Sequence, residues 1–236
     1  LTDSASLGSQ EVMLEAIGIQ KSYASPGGLL PVLTGVDLTL IRGTILAITG
    51  VSGVGKSTLL NILGTLDHPD SGSLAIRGRR IEGLGERELA RLRTRELGFV
   101  FQFHHLLPEF TAEENVMMPL LIGDEAHEDA RKRARAALAQ VGLHERGLHR
   151  PAALSGGEAQ RVAVARALVA DPALILADEP SGNLDPASAD HLHELLASLA
   201  HEQHRTLVVV THNDRLAATA DRILTLEHGV LSARQG

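Results

Sequence analysis

Cysteine is absent from all 236 residues. That excludes a disulfide framework, a zinc–cysteine centre and a cysteine-held iron–sulfur cluster, and it is compatible with a reducing compartment. An excess of basic residues is also missing. Twenty-two Lys and Arg stand against 29 Asp and Glu, a formal net charge of -7. A protein whose main partner is nucleic acid usually shows the opposite balance, so no nucleic-acid partner is expected. Long apolar runs are lacking too. The apolar runs, such as 44–48, 116–122 and 207–210, fall well short of the ~18 residues a spanning helix needs. The first ten residues are polar, do not begin with Met and lack the basic-then-apolar layout of a secretory signal. Residues 1–11 are therefore set aside as an N-terminal tail. The expectation is a soluble chain on the cytoplasmic side, with any membrane role supplied through a partner. The remaining composition, 44% hydrophobic and 22% charged, is that of an ordinary globular chain able to bury a core.

Gly and Pro divide the chain into short alternating elements. Stretches 12–20, 36–40 and 44–49 read as strands, 56–66 as a helix and 73–77 as a strand. Between 111 and 141 the pattern turns helical and charged. Glu125, Glu128 and Asp129 precede Arg131, Lys132, Arg133 and Arg135, an order that suits the helix dipole. After Pro151 come a helix at 158–170, an apolar strand at 173–177, a helix at 186–202 and a strand at 206–211. Short apolar strands separated by helices predict an α/β fold with a mostly parallel sheet covered on both faces. The early antiparallel-looking strands and a helical insert at about 103–158 are additions to it, within one domain spanning 12–236.

Gly50-Val51-Ser52-Gly53-Val54-Gly55-Lys56-Ser57 fits a phosphate-binding loop between a strand and a helix. The glycines let backbone N–H groups curl around phosphate, Lys56 neutralises β/γ charge and Ser57 can ligate Mg²⁺. Leu174-Ile175-Leu176-Ala177-Asp178-Glu179 is an apolar strand ending in two carboxylates. Asp178 suits the magnesium shell and Glu179 can orient or deprotonate a water, although both acids could also cap the turn at Pro180 and Gly182. Leu154-Ser155-Gly156-Gly157-Glu158 contains an S-x-x-E capping box, so it starts a helix. Its two glycines are costly in a first turn, and they make sense if a phosphate approaches the bare backbone there. One phosphate loop plus a distant second anion site suggests two subunits sharing nucleotide.

LSGGE followed by Gln160-Arg161, about 100 residues beyond the phosphate loop, resembles the signature of the ATP-binding-cassette ATPases, whose nucleotide-binding domain has the P-loop, RecA-like fold. The resemblance runs from about Val12 to Leu231, and it implies ATP and Mg²⁺ as ligands. Gly50, Ser52, Gly53, Val54, Gly55, Lys56, Ser57 and Thr58 then bind the phosphates, and Tyr23, the only Tyr in the chain, matches the aromatic that stacks on adenine. Gln102 matches the glutamine that senses magnesium and the membrane partner, so Ser57, Gln102 and Asp178 form the metal set. Glu179, His212, Lys56 and Gln102 are the implied catalytic residues, His212 by matching the histidine that contacts the γ-phosphate. Ser181-Gly182-Asn183-Leu184-Asp185 matches the loop that communicates between two sites. By the same resemblance Ser155, Gly156, Gly157, Glu158 and Asp185 meet nucleotide held by a second copy in an ATP-sandwich dimer. Taken singly, Tyr23, Gln102, Asp185 and His212 each also admit a structural reading.

The stretch Phe101-Gln102-Phe103-His104-His105-Leu106-Leu107-Pro108-Glu109-Phe110-Thr111, then Glu114-Asn115-Val116, resembles the lipoprotein-releasing branch of that family. Gly64-Thr65-Leu66-Asp67 points to the same branch, which also holds macrolide-export and cell-division ATPases. The resemblance implies a peripheral subunit on the cytoplasmic face of a bacterial inner membrane, working with integral-membrane transporter subunits. Ala159, Ser181 and Asn213 depart from residues common among relatives, and none of the three removes a catalytic group.

Overall fold

Two sheets organise residues 11–233, the part of the chain that the computed structural model describes. Of the expected tail 1–11, all but Glu11 lies outside the described residues. In chain order, β1 (Val12–Ser25) and β2 (Gly28–Ile41) form a hairpin, and β3 (Ile45–Thr49) leads into α1 (Lys56–Leu63). Next come β4 (Ser71–Ile76), β5 (Arg79–Arg80), α2 (Glu86–Glu96) and β6 (Leu97–Phe101). The helices α3 (Ala112–Ile122), α4 (His127–Gln140) and α5 (Gly156–Leu168) follow. The chain then runs through β7 (Leu174–Asp178), α6 (Pro186–His201), β8 (Thr206–Val210), α7 (Asp214–Ala217), β9 (Arg222–Glu227) and β10 (Val230–Ala233).

The smaller sheet is antiparallel, in the order β2-β1-β4-β5. The larger has the order β10-β9-β3-β8-β7-β6, parallel except where β10 pairs with β9. Its central strands are buried on both faces. Leu174 and Leu176, like Val208 and Val210, face α1 and the antiparallel sheet, whereas Ile175, Ala177, Leu207 and Val209 face the layer of α5 and α6. The two-residue alternation of a strand thus feeds two separate cores, which is why these strands read as continuous apolar runs.

The expected elements are present with ends shifted by a few residues, and several others were not expected. The expected strand at 36–40 is the end of a far longer β2, and β1 continues past Gln20 to Ser25. The hairpin tip is solvent-exposed, so no core-facing alternation marks it. α2 buries only Leu89 and Leu92 of its 11 residues, too few for a readable apolar stripe. The single helical stretch at 111–141 is two helices, broken where Gly123 ends α3 and Asp124 takes a φ of +63°. β6, β9 and β10 also went unread as strands. Two glycines allow close packing about the sheet. A Cβ on Gly64, at the end of α1, would lie 2.5 Å from Phe99, and one on Gly98 would lie 2.5 Å from the Ala167 carbonyl oxygen of α5.

Candidate functional site

Register in the parallel sheet brings four strand ends together. Ile48 of β3 pairs with Val210 of β8, Val210 with Asp178 of β7, and Asp178 with Phe101 of β6. The loop opened by Gly50, the pair Thr211-His212, Glu179 and Gln102 therefore emerge side by side at the carboxyl edge of the sheet, where ligands of such folds bind. Four separate sequence motifs point to the loop, Glu179, Gln102 and His212 as one site, and Thr211 joins them through the fold.

The loop after β3 demands glycine at particular points. Gly50 has a φ of +145° and a Cβ there would meet the Leu226 carbonyl oxygen at 2.6 Å, while Gly55, with a φ of +109°, would place one 2.6 Å from Val32. Gly55 is also the N-cap of α1, and no side chain caps that helix. Its first-turn N–H groups are left to face an anion. Lys56 is buried, and its Nζ donates to the carbonyls of Gly50 at 2.9 Å and Val51 at 3.0 Å. The ammonium thus lies across the mouth of the loop.

Asp178 ends β7 with its carboxyl close to the Ser57 hydroxyl. Burial holds the group above its ordinary range and the charge of Glu179 adds to this, while Ser57 and Lys56 pull the other way. A half-buried carboxylate beside a second carboxylate and a hydroxyl is a hard oxygen donor set, and a divalent cation of the Mg²⁺ type fits it. Gln102 donates from Nε2 to Asn183 Oδ1 at 3.3 Å, and Asn183 Nδ2 returns a bond to the Gln102 carbonyl at 3.3 Å. Gly182 makes room for this contact, since a Cβ there would lie 2.9 Å from Gln102 Nε2.

Glu179 and His212, assigned separately from sequence, touch directly. His212 Nδ1 lies 2.7 Å from Glu179 Oε1, and the His212 N–H donates to the same oxygen at 3.0 Å. Thr211 Oγ1 donates to Oε2 at 3.2 Å. Glu179 itself has a φ of +44°, a left-handed conformation that a non-glycine residue holds only when its surroundings impose it. A cleft of about 470 Å³ opens beside the pair, lined by Ser181, Gly182, Asn213 and the start of α6.

Tyr23 stands near the tip of β1, its hydroxyl donating to Asp67 Oδ2 at 2.7 Å. Lys21 bonds the other oxygen of Asp67 at 2.8 Å and its ammonium lies 5.2 Å from the Tyr23 ring centre. Burial and the bond to Asp67 push the phenol above its ordinary range, and the Thr58 hydroxyl lowers it in part. Tyr23 and Thr58 are thus neighbours, and the ring is fixed to the chain that leaves α1.

Ser155, Gly156, Gly157, Glu158 and Asp185 are not part of this group. No hydrogen bond joins them to the loop 50–58 among the described residues. Ser155 caps α5, its Oγ accepting from the Glu158 N–H at 3.2 Å while Glu158 Oε2 accepts from the Ser155 N–H at 2.8 Å. That backbone bond, joined by Arg146 Nε at 2.8 Å, holds the Glu158 carboxyl down to about 2. Asp185 caps α6, accepting from the Ser188 N–H at 3.0 Å. At Gly157 packing gives a second reason for glycine, beside close approach of a phosphate. A Cβ there would lie 2.7 Å from Ser188 Oγ and 2.9 Å from Ser188 Cβ, so packing of α5 on α6 already requires glycine. Only at Gly156 is the backbone bare toward open space.

Sequence reasoning missed four residues that build the site. Thr211 and Asn183 hold Glu179 and Gln102, and Asp67 holds Tyr23. Asn115 is fully buried, accepting from the Leu107 N–H at 2.7 Å and donating to the carbonyls of Leu107, Phe110 and Thr111. With Arg166, which donates to the carbonyls of His104 and His105, it fixes the irregular segment after Gln102. A polar residue buried amid apolar neighbours in the Glu114-Asn115-Val116 stretch was the available signal.

A model of the ABC transporter family matches residues 33–182. The chain belongs to the ABC transporter family. Curated relatives extend the match across this cassette. The lipoprotein-releasing system ATP-binding protein LolD of Porphyromonas gingivalis is 52% identical over 220 residues, covering 93% of this chain and 99% of the relative. LolD of Geobacter metallireducens is 52% identical over 217 residues, covering 92% and 96%. Among solved structures, the ATP-binding cassette MJ0796, a dimer in a post-hydrolysis state bound to ADP and Pi, aligns with a TM-score of 0.85 and 38% identity, covering 95% of this chain and all of that one. The cassette fold expected from sequence is the fold found.

Proposed function

We propose that this cassette is the ATP-hydrolysing subunit of a lipoprotein-releasing system, in which turnover of ATP powers removal of lipoproteins from a bacterial inner membrane. The observation that carries the reading is the extent of similarity to LolD proteins, about half the residues identical over nearly the whole of both chains. The geometry supports the chemistry. ATP phosphates would lie on the N–H groups of the glycine loop and α1, with Lys56 turned from its carbonyls to the β/γ oxygens. Glu179, positioned by His212 and Thr211, takes the proton of the attacking water. The new bond forms at the γ-phosphorus as its bond to the β–γ bridging oxygen breaks, and His212 donates toward the transferred group. Ser57, Asp178 and Gln102 would hold Mg²⁺, which would supply charge neutralisation for the phosphates. Tyr23 offers the ring for adenine.

The second anion site explains assembly. Ser155 and Gly156, at the N-terminus of α5, make no hydrogen bond to the phosphate loop of their own chain, and in this reading nucleotide bridges to them across a head-to-tail pair. Dimeric neighbours of this fold support that arrangement. No helix among the described residues is long and apolar enough to cross a membrane, so the membrane part is assigned to partner subunits, with the cassette peripheral on the cytoplasmic face. Their contact is proposed at a groove of about 280 Å³ between α2, β6, α3 and α5, lined by Phe99, Phe101, Pro119 and Ile122, with Phe103 65% exposed nearby in sequence.

The test is purification of tagged full-length chain from gently solubilised native membranes, followed by reconstitution of what co-purifies. Integral-membrane partners and ATP-dependent release of a lipoprotein, lost in Glu179→Gln, are expected. Macrolide-export or cell-division partners with no lipoprotein release would overturn the assignment to this branch while leaving the ATPase in place.

A further inference from the structure

Beneath the loop that follows Glu179 lies a histidine that no motif assigned. His193 is on α6, about two turns from its start, and is 5% exposed. Its Nε2 lies 2.9 Å from Ser181 Oγ, and Ser181 is itself buried. The bond closes a ring, because Asp185, where the loop ends, caps α6, and His193 reaches back from α6 to where the loop starts. Inside that ring the backbone turns on bonds from the Gly182 N–H to the Glu179 carbonyl at 3.0 Å and from the Leu184 N–H to the Ser181 carbonyl at 3.1 Å. On its other side the loop is tied to Gln102 through Asn183. The loop thus has two side-chain anchors, one just beyond β6 and one on α6.

The conformation these anchors support includes the left-handed Glu179. The carboxylate is aimed from above by His212 and Thr211, but its backbone is restrained on the C-terminal side through Ser181. Neither polar atom of the buried pair has water as a ready substitute, so loss of one partner leaves the other unsatisfied and the loop free to shift. Burial favours the neutral ring, with Asp190 opposing and Arg215 assisting. A neutral imidazole can either donate to Ser181 or accept from it. The cleft beside Glu179 is lined by Ser181 and Gly182, so a shift there displaces the wall of the site.

We propose that His193 is a positioning residue for ATP turnover, which through its hydrogen bond to Ser181 fixes the loop that carries Glu179 and thereby sets the catalytic rate without contacting nucleotide. The inference rests on the assignment of Glu179 to hydrolysis. Because His193 is remote from the glycine loop and from Tyr23, its removal should spare nucleotide binding.

Steady-state ATP hydrolysis by the full chain, purified with its co-purifying membrane partners, tests this. His193→Phe keeps the volume and removes the bond. It is expected to lower kcat about fivefold to tenfold with KM for ATP changed less than twofold, a loss in line with one buried hydrogen bond. His193→Gln, which places an amide nitrogen near the position of Nε2, should recover most of the rate. Ser181→Ala should match His193→Phe, and the double variant should be no slower than either. An unchanged kcat in His193→Phe would overturn the proposal, as would a rise in KM with equal loss in His193→Gln. If His193→Phe fails to fold, Ser181→Ala, which deletes one atom, decides alone by the same criteria. Wild-type hydrolysis by Glu179→Gln would instead bring down the site assignment itself.

Discussion

The two glycines of the signature stretch make opposite predictions. Alanine at 157 places a Cβ 2.7 Å from Ser188 Oγ and 2.9 Å from Ser188 Cβ. The hydroxyl can rotate away, but the Cβ cannot, and carbon atoms rest at about 3.5–4.0 Å. The facing turns of α5 and α6 must then part by several tenths of an ångström. Overpacking of this kind costs about 1–3 kcal/mol, and the gain from replacing a helical glycine returns up to about 1 kcal/mol. The net loss is up to about 3 kcal/mol, which for a chain of this size lowers Tm by up to about 12 °C. Alanine at 156 meets only Leu184 Cδ2, at 4.0 Å, so Gly156→Ala should melt no lower than the wild-type chain. Its penalty belongs to nucleotide-dependent dimer formation. Thermal unfolding without nucleotide, then gel filtration with ATP in a Glu179→Gln background, separates the two effects. Adding Ser188→Gly to Gly157→Ala should restore Tm, because it removes both offending atoms. Gly157→Ala melting with the wild type, or Gly156→Ala falling as far, would refute the packing argument.

Glu179→Gln should abolish turnover while leaving an ATP-bound dimer detectable by gel filtration. Gly64→Ala, whose Cβ would lie 2.5 Å from Phe99 and 3.0 Å from Leu176, should destabilise the junction of α1 with β6 and β7 by about 1–3 kcal/mol, read by urea unfolding. The Glu158 carboxyl gives a pH signature. It titrates at about 2 in the folded chain against 4.5 when unperturbed, so the unfolded chain binds more protons between those values. The stability it contributes is complete above pH 4.5 and is lost as pH falls through about 2. Glu158→Gln should therefore be less stable than the wild type at pH 7, with the difference shrinking across that window in acid-unfolding measurements.

Much of this protein was legible from local chemistry. The glycine loop, the strand ending in Asp178-Glu179 and the capping box at Ser155 are each a few residues long. Their backbone demands act within one turn, so they survive in any environment, and the continuous apolar strands announced a sheet covered on both faces. What the chain alone could not disclose depends on atoms far apart in sequence. The register Ile48–Val210–Asp178–Phe101 aligned four motifs along one edge. Glu179 met His212 across 33 residues, and Tyr23 met Asp67 across 44. The sequence around Gly157 suggests a phosphate contact, and only the tertiary structure adds the packing demand from Ser188 on another helix. The sparse apolar content of α2 and the exposed tip of the first hairpin gave no periodic signal, because their stability comes from neighbours rather than from a face of their own. His193 carried no motif at all, since a single buried bond to Ser181 defines it. Short-range backbone chemistry is written in the sequence, whereas side-chain pairing is decided only when tertiary packing removes water from between distant groups.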